Sequence, residues 1–346
     1  MVTTSTRAVT TADTGYRTRP PGSARRRGAS PSVATPGGVT PGGAAPGGAA
    51  RGRGAGRWRT PMLFLLPFGV LFVAMYLVPI AFAFVQSLFT LQRSGLGLEA
   101  PTLEFTPIAN YTRLLGDGEF LASFGRVALF GLVQVPLMLG IALGLALLLD
   151  SRSARGKGFF RLAAFLPYAV PGVIAAVMWS FLYSPVTSPI NTFLENTFGA
   201  SIPFFAPELV LWSIANIVTW GWTGYNMLII YSSLQTIPAE TIEAARLDGA
   251  GPMRIAWSIK IPMVRPALVL TTVFSIIGSA QLYNEPTVLK AISGGAISNT
   301  FTPLMAAQAQ VTAQNYPYAA AQSVVLALVV GVISFTFFKL TNRGER

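Results

Sequence analysis

Residues 243–262, "EAARLDGAGPMRIAWSIKIP", decide how the rest of the chain is read. The stretch holds three basic and two acidic residues and reads as helix, turn, helix, yet long apolar runs lie on both sides. Pro238 suits a first helical turn, where its missing N–H costs little. Glu240 and Glu243 lie near the positive end of the first helix and Arg246 near the other. Ala244 and Ala245 leave a low surface that another backbone can approach. Gly249 and Gly251 supply left-handed backbone to end that helix, Pro252 starts a second, and Pro262 stops it. The expected product is a short helix pair lying outside any bilayer.

Composition says why a bilayer is expected. Of 346 residues, 52% are hydrophobic and only 11% charged, and the mean hydropathy is +0.53. A soluble globular chain carries about 25% charged residues, so a membrane protein is the first reading. Cysteine and histidine are both absent. Disulfides, thiolate metal sites and a Cys nucleophile are therefore excluded, as are the commonest general base and metal ligand. No catalytic or metal-binding residue is assigned. The net charge of +12 does not indicate nucleic acid. Ten arginines crowd the first 60 residues and the others flank apolar runs, which suits orientation and anionic lipid.

Residues 1–57 are rich in Pro, Gly and Arg and lack large apolar side chains. They cannot bury enough surface to offset chain entropy, so a disordered tail is expected. Residues 58–346 then form one transmembrane domain. Six apolar windows follow: a charge-free run from Thr60 to Gln92, then Val127–Leu149, Leu162 to about Tyr183, Leu209 to about Leu234, Pro266 to about Tyr283, and about Tyr318 to Phe338. About 20 apolar residues suffice to cross a bilayer as a helix. Runs this long are not barrel strands, so the fold class is an all-α membrane protein with six transmembrane helices. Pro67, Pro79, Pro136, Pro167 and Pro171 invite kinks, which suit either a cavity or ordinary membrane packing.

Charge orients the spans. The first 60 residues and segments 150–161, 235–265 and 339–346 hold 21 of the 25 Lys and Arg residues. The other side has only Arg93, Arg113, Arg126 and Lys290. By the positive-inside rule both termini and the 235–265 segment are cytoplasmic. The outer segments, 91–122, 184–208 and 284–317, are rich in Pro, Asn, Thr and aromatics and suit docking.

The spacing of "EAA", three residues, Gly249, nine residues and Ile259-Lys260-Ile261-Pro262 resembles the EAA loop of ABC-importer permeases. Ile261 stands where Leu is usual. "RLAAFLPYAVPGVIAAVMWSFLYSP" at 161–185, "NYTRLLGD" at 110–117, "ISGGAISNTFTPLM" and "YPYAAAQSVVL" are similar to the carbohydrate branch of that family, the maltose and multiple-sugar type. Gly294-Gly295-Ala296 stands where Gly-Gly-Pro is usual. The resemblance implies a type I importer arrangement in a bacterial cell membrane. It places Glu243, Ala244, Ala245, Asp248, Gly249, Ile259 and Pro262 against a cytoplasmic ATPase. It implies a second homologous permease, two ABC ATPase subunits and an external sugar-binding protein. No Walker motif, G-x-x-x-x-G-K-[ST], occurs in the sequence. No cofactor is therefore expected on this chain, and ATP is used by the partner.

Polar residues inside spans are the substrate candidates, because they are costly in lipid and tend to face a cavity. Span four offers Asn216, Trp220, Trp222, Tyr225 and Asn226. Span five and its outer end offer Ser275, Ser279, Gln281, Tyr283, Asn284 and Glu285. Aromatic faces suit sugar rings, and amides and carboxylates suit hydroxyls. The resemblance singles out Trp220, Tyr225 and Gln281. Interfacial anchoring and helix–helix bonding are the alternatives for each residue. The solute is expected to be a sugar or oligosaccharide. Glycerol phosphate or a polyol through the same kind of permease is the alternative, with a secondary transporter further behind.

Overall fold

A computed structural model describes residues 59–93 and 100–342. The chain divides into two units, Met1–Thr60 and Pro61–Arg346, and the expected tail over 1–57 lies outside the described residues. Helix α1 (Arg59–Phe72) passes through a π-helical turn, Val73–Leu77, into α2 (Val78–Ser87). A short antiparallel ribbon follows, β1 (Phe89–Gln92) and β2 (Thr102–Phe105), with Phe89 opposite Phe105. Then come α3 (Ala109–Leu115), α4 (Gly118–Asp150), α5 (Lys157–Phe165), a 3-10 turn Leu166–Ala169, α6 (Gly172–Tyr183), α7 (Pro189–Phe198) and α8 (Val210–Leu234). The polar stretch gives α9 (Ala239–Leu247), α10 (Pro252–Ile255), a π-helical turn Ala256–Lys260 and α11 (Ile261–Met263). The chain continues through α12 (Arg265–Ala280), α13 (Asn284–Lys290), α14 (Pro303–Thr312) and α15 (Tyr316–Asn342). Apart from the ribbon, the described regular structure is helical.

Among the described residues, four helical stretches are long and apolar enough to cross a membrane: Pro61–Ser87, Gly118–Asp150, Arg265–Lys290 and Tyr316–Thr341. A fifth arises if Lys157–Ala169 and Gly172–Tyr183 count as one span broken by a 95° bend. The bend has a local cause. Val170 and Pro171 are extended, with ψ near 123° and 134°, and the proline ring disfavours helix at the residue before it. The fourth expected span forms a helix, α8, of sufficient length. Its Asn216, Thr219, Thr223, Asn226, Ser232 and Ser233 keep it below the apolarity of the others.

Lipid tails are as apolar as leucine, so packing and buried polar bonds, rather than water exclusion, hold spans together. Helices α4 and α8 form the central seam. Small Ala142 and Ala146 meet Met227, Ile230 and Leu234, and Val264 closes the cluster. Gln134 Nε2 donates across the seam to Thr219 Oγ1 at 3.3 Å. The α5–α8 contact is closer still. A Cβ on Gly224 would fall 1.9 Å from the Ala164 carbonyl oxygen, so only glycine lets α5 seat itself there.

Segments 150–161, 235–265 and the end of α15 meet at one end of the bundle. Lys260 pairs with Asp150, Arg152 with Glu243, and Arg265 donates to the Thr341 carbonyl at 2.9 Å. At the other end, the few cations are engaged locally. Arg126 donates to the carbonyls of Thr300 and Phe301, Arg113 lies 4.1 Å over the Tyr318 ring, and Lys290 pairs with Asn299. Asp117 caps α4 by accepting from the Phe120 N–H at 3.1 Å, and also accepts from the Tyr318 hydroxyl at 3.0 Å. We expect Gly224→Val to cost about 3 kcal/mol or more by overpacking against backbone that cannot yield. A fall in thermal stability of the solubilised protein checks this; an unchanged melting temperature would contradict the close approach.

Candidate functional site

A cavity of about 250 Å³ lies among α4, α8, α12 and the α12–α13 junction. Helix α12 ends at Ala280, Gln281 is its C-cap, and α13 restarts at Asn284. This break opens the wall. Gln281, Tyr283, Asn284 and Glu285 line the cavity from it. Helix α8 contributes Val218, Trp222, Tyr225 and Asn226, at helical spacing that puts them on one face. Ser275 and Ser279 come from α12.

Aromatic rings frame one side. Tyr168, from the 3-10 turn before the bend, stacks on Tyr225 at 4.7 Å between centroids and meets Trp222 edge-on at 5.3 Å. Trp222 and Tyr225 stand nearly perpendicular at 5.9 Å. Such a cluster offers flat apolar faces beside the free amide of Gln281. Glu285 is the one charged side chain in the described lining, and it approaches the start of α6, where a Cβ on Gly172 would sit 3.6 Å from its Oε1.

Nine of the eleven expected substrate residues are brought together here, Tyr225, Asn226, Gln281 and Asn284 among them. Two are not. Asn216 Nδ2 donates to the Tyr183 hydroxyl at 2.8 Å, and Trp220 meets Trp179 edge-on at 5.8 Å. Both partners are on α6, so these two side chains face α6 rather than the cavity, with Asn216 exposed and Trp220 half-buried. The same helix carries an adjacent face, offset by about 100° per residue, and the cavity takes that one through Trp222 and Tyr225. Asn226 is partly committed too, donating to the Trp222 carbonyl at 3.0 Å. Sequence reasoning missed Phe130, Gln134 and Met138 of α4, which complete the wall. Gln134 carried a signal: it is the only amide in the Val127–Leu149 window.

The polar stretch forms a helical hairpin at the other end. Pro238 is the N-cap rather than a first-turn residue. Gly249 is left-handed at φ +80°, as expected, whereas Gly251 is extended at φ −70° and begins α10. The helix does not stop at Pro262: after the π-helical turn, Pro262 sits in the first turn of α11, which runs to Met263. Glu243, Ala244, Asp248, Gly249 and Pro262 are exposed, and Ala245 and Ile259 half-buried. Glu243 Oε1 accepts from Arg152 at 3.3 Å. The hairpin also exposes apolar side chains: Leu247 is 90% exposed, Met253 71% and Trp257 66%.

Comparison with known proteins matches this architecture. Residues 136–346 fit the family model described as binding-protein-dependent transport system inner membrane component. The chain is 34% identical to the lactose transport system permease protein LacF of Rhizobium radiobacter, over 80% of this chain and 92% of that protein. It is 28% identical to the sn-glycerol-3-phosphate transport system permease protein UgpA of Agrobacterium fabrum, over 82% and 94%. It is 29% identical to the diacetylchitobiose uptake system permease protein NgcF of Streptomyces coelicolor, over 82% and 84%. A chain of a bacterial ABC transporter importing the acidic polysaccharide alginate superposes with a TM-score of 0.67 at 17% identity, over 82% of this chain and 95% of that one. That last likeness concerns the fold alone. Members of this family are non-catalytic, multi-pass components of the inner membrane, and the ATPase is a separate subunit. By its sequence from Pro136 onward and by its relatives, the chain belongs to the binding-protein-dependent transport system inner membrane components.

Proposed function

We propose that this chain is one of two homologous permease subunits of an ATP-driven importer for a neutral sugar or oligosaccharide. It crosses the membrane six times, α8 included, with both termini in the cytoplasm. Two ATPases bind on that side and a sugar-binding protein delivers solute on the other. The observation that carries the coupling half is the hairpin Ala239–Met263, a polar segment that nonetheless exposes Leu247, Met253 and Trp257. Trp and Met are enriched in protein interfaces, and buried aromatic anchors dominate their energetics. A partner seated there would cover them, with Glu243, Ala244, Ala245, Asp248, Gly249, Ile259 and Pro262 alongside. Closure of the ATPases would drive the hairpin as a rigid lever and switch the cavity between the two faces of the membrane.

The solute assignment rests on the lining. Lactose and diacetylchitobiose relatives favour a sugar, while the glycerol phosphate relatives compete. A phosphate calls for Arg or Lys at the site. The described lining has neither, and it carries the carboxylate of Glu285. Aromatic faces and amides suit a neutral, hydroxylated ring.

With all subunits in proteoliposomes, ATP-dependent uptake of a labelled disaccharide such as lactose or diacetylchitobiose should resist excess glycerol 3-phosphate. Uptake of glycerol 3-phosphate instead would overturn the solute assignment. Tyr225→Ala should raise the apparent KM for the sugar about two- to tenfold, the worth of one aromatic contact, with little change at Trp220→Phe. Equal effects at the two positions would move the site off the cavity. Gly249→Asp should abolish uptake while the chain still inserts at normal levels, because a side chain there strains the left-handed turn; wild-type uptake would refute the coupling role.

A further inference from the structure

Asp150 is the last residue of α4, a 33-residue helix. A carboxylate at that end faces the negative pole of the helix and gains nothing from it. Its partners explain its presence. Asp150 Oδ2 pairs with Lys260, and Oδ1 accepts from Gln235 Nε2 at 2.7 Å. Both oxygens are therefore used, and they gather three elements. Gln235 is the C-cap of α8, and Lys260 closes the π-helical turn between α10 and α11.

This pair differs from the neighbouring Arg152–Glu243 bond. The side chains of Asp150 and Lys260 are 18% and 17% exposed, against 60% and 69% for Glu243 and Arg152. Exposed pairs are screened and contribute little. The shielded one leaves an uncompensated charge if either member is removed. Above it, α4 is locked to α8 through Ala142, Ala146 and Leu149, and no proline interrupts α4 between Pro136 and Asp150. About 18 Å along that proline-free rod Met138 forms part of the cavity wall, and Gln134 follows about 24 Å from Asp150, just beyond Pro136.

We propose that Asp150 is a positioning residue: it clamps the hairpin to α4, so that hairpin movement reaches the cavity wall through α4 as well as through the covalently linked α8 and α12. This rests on the coupling role argued above.

The test uses the complete importer in proteoliposomes and reads two quantities, solute taken up and ATP hydrolysed. Asp150→Asn should lower solute moved per ATP by roughly two- to thirtyfold, the range spanned by coupling energies at single positions. Asp150→Glu should keep most of the wild-type ratio, and the exchanged pair Asp150→Lys with Lys260→Asp should restore it. If Asp150→Asn reduces the amount of assembled complex, the ratio in the remaining complex still decides, because a merely structural loss lowers both quantities together. An unchanged ratio in Asp150→Asn, or no recovery in either compensating variant, overturns the clamp. A wild-type complex without ATP-driven uptake would instead overturn the importer reading itself.

Discussion

Hydrocarbon offers no hydrogen-bond partner to a peptide group, and the architecture obeys that constraint. Every N–H and C=O that crosses the bilayer has to be satisfied within the protein, which leaves helices for runs of this length. The same constraint governs the breaks. The extended pair Val170–Pro171 is tolerated because the 3-10 turn before it and α6 after it pack against α8 and α13. The interruption at Gln281–Tyr283 borders a cavity. Irregular backbone thus occurs where protein or a polar space receives it.

Two close contacts turn these helices into a machine of defined shape. At mid-bundle, Gly224 admits the Ala164 carbonyl and so fixes α5 against α8. Tyr168, just beyond α5, stacks on Tyr225, whose ring lines the cavity beside Trp222. At the hairpin end, Asp150 holds Lys260 and Gln235. One contact works by removing a side chain and the other by adding charge, because the first lies among packed helices and the second where they end.

Much of the site was legible because polarity inside an apolar window is informative. Tyr225, Asn226, Gln281 and Asn284 all reach the cavity. Trp220 and Asn216 did not, although they share α8 with residues that did. A helix has several faces, and its own sequence does not say which neighbour each one meets; Trp179 and Tyr183 of α6 claimed that face. Gln134 carried the same signal as the only amide of its window, but it was overlooked because the candidates were drawn from the fourth and fifth spans alone.

The sequence by itself determined the helical membrane character and the hairpin from Glu243 to Pro262 with its left-handed Gly249. These are local or compositional properties, fixed by transfer energies, charge and backbone sterics. Only the tertiary structure decided which face of α8 lines the cavity, that Lys157–Ala169 and Gly172–Tyr183 meet at a 95° bend, and that α4 supplies a cavity wall and pairs Asp150 with Lys260. Those depend on contacts between residues as far apart as Asp150 and Lys260. Such contacts leave no periodic trace in the chain, because each partner needs only the right chemistry at one point in space.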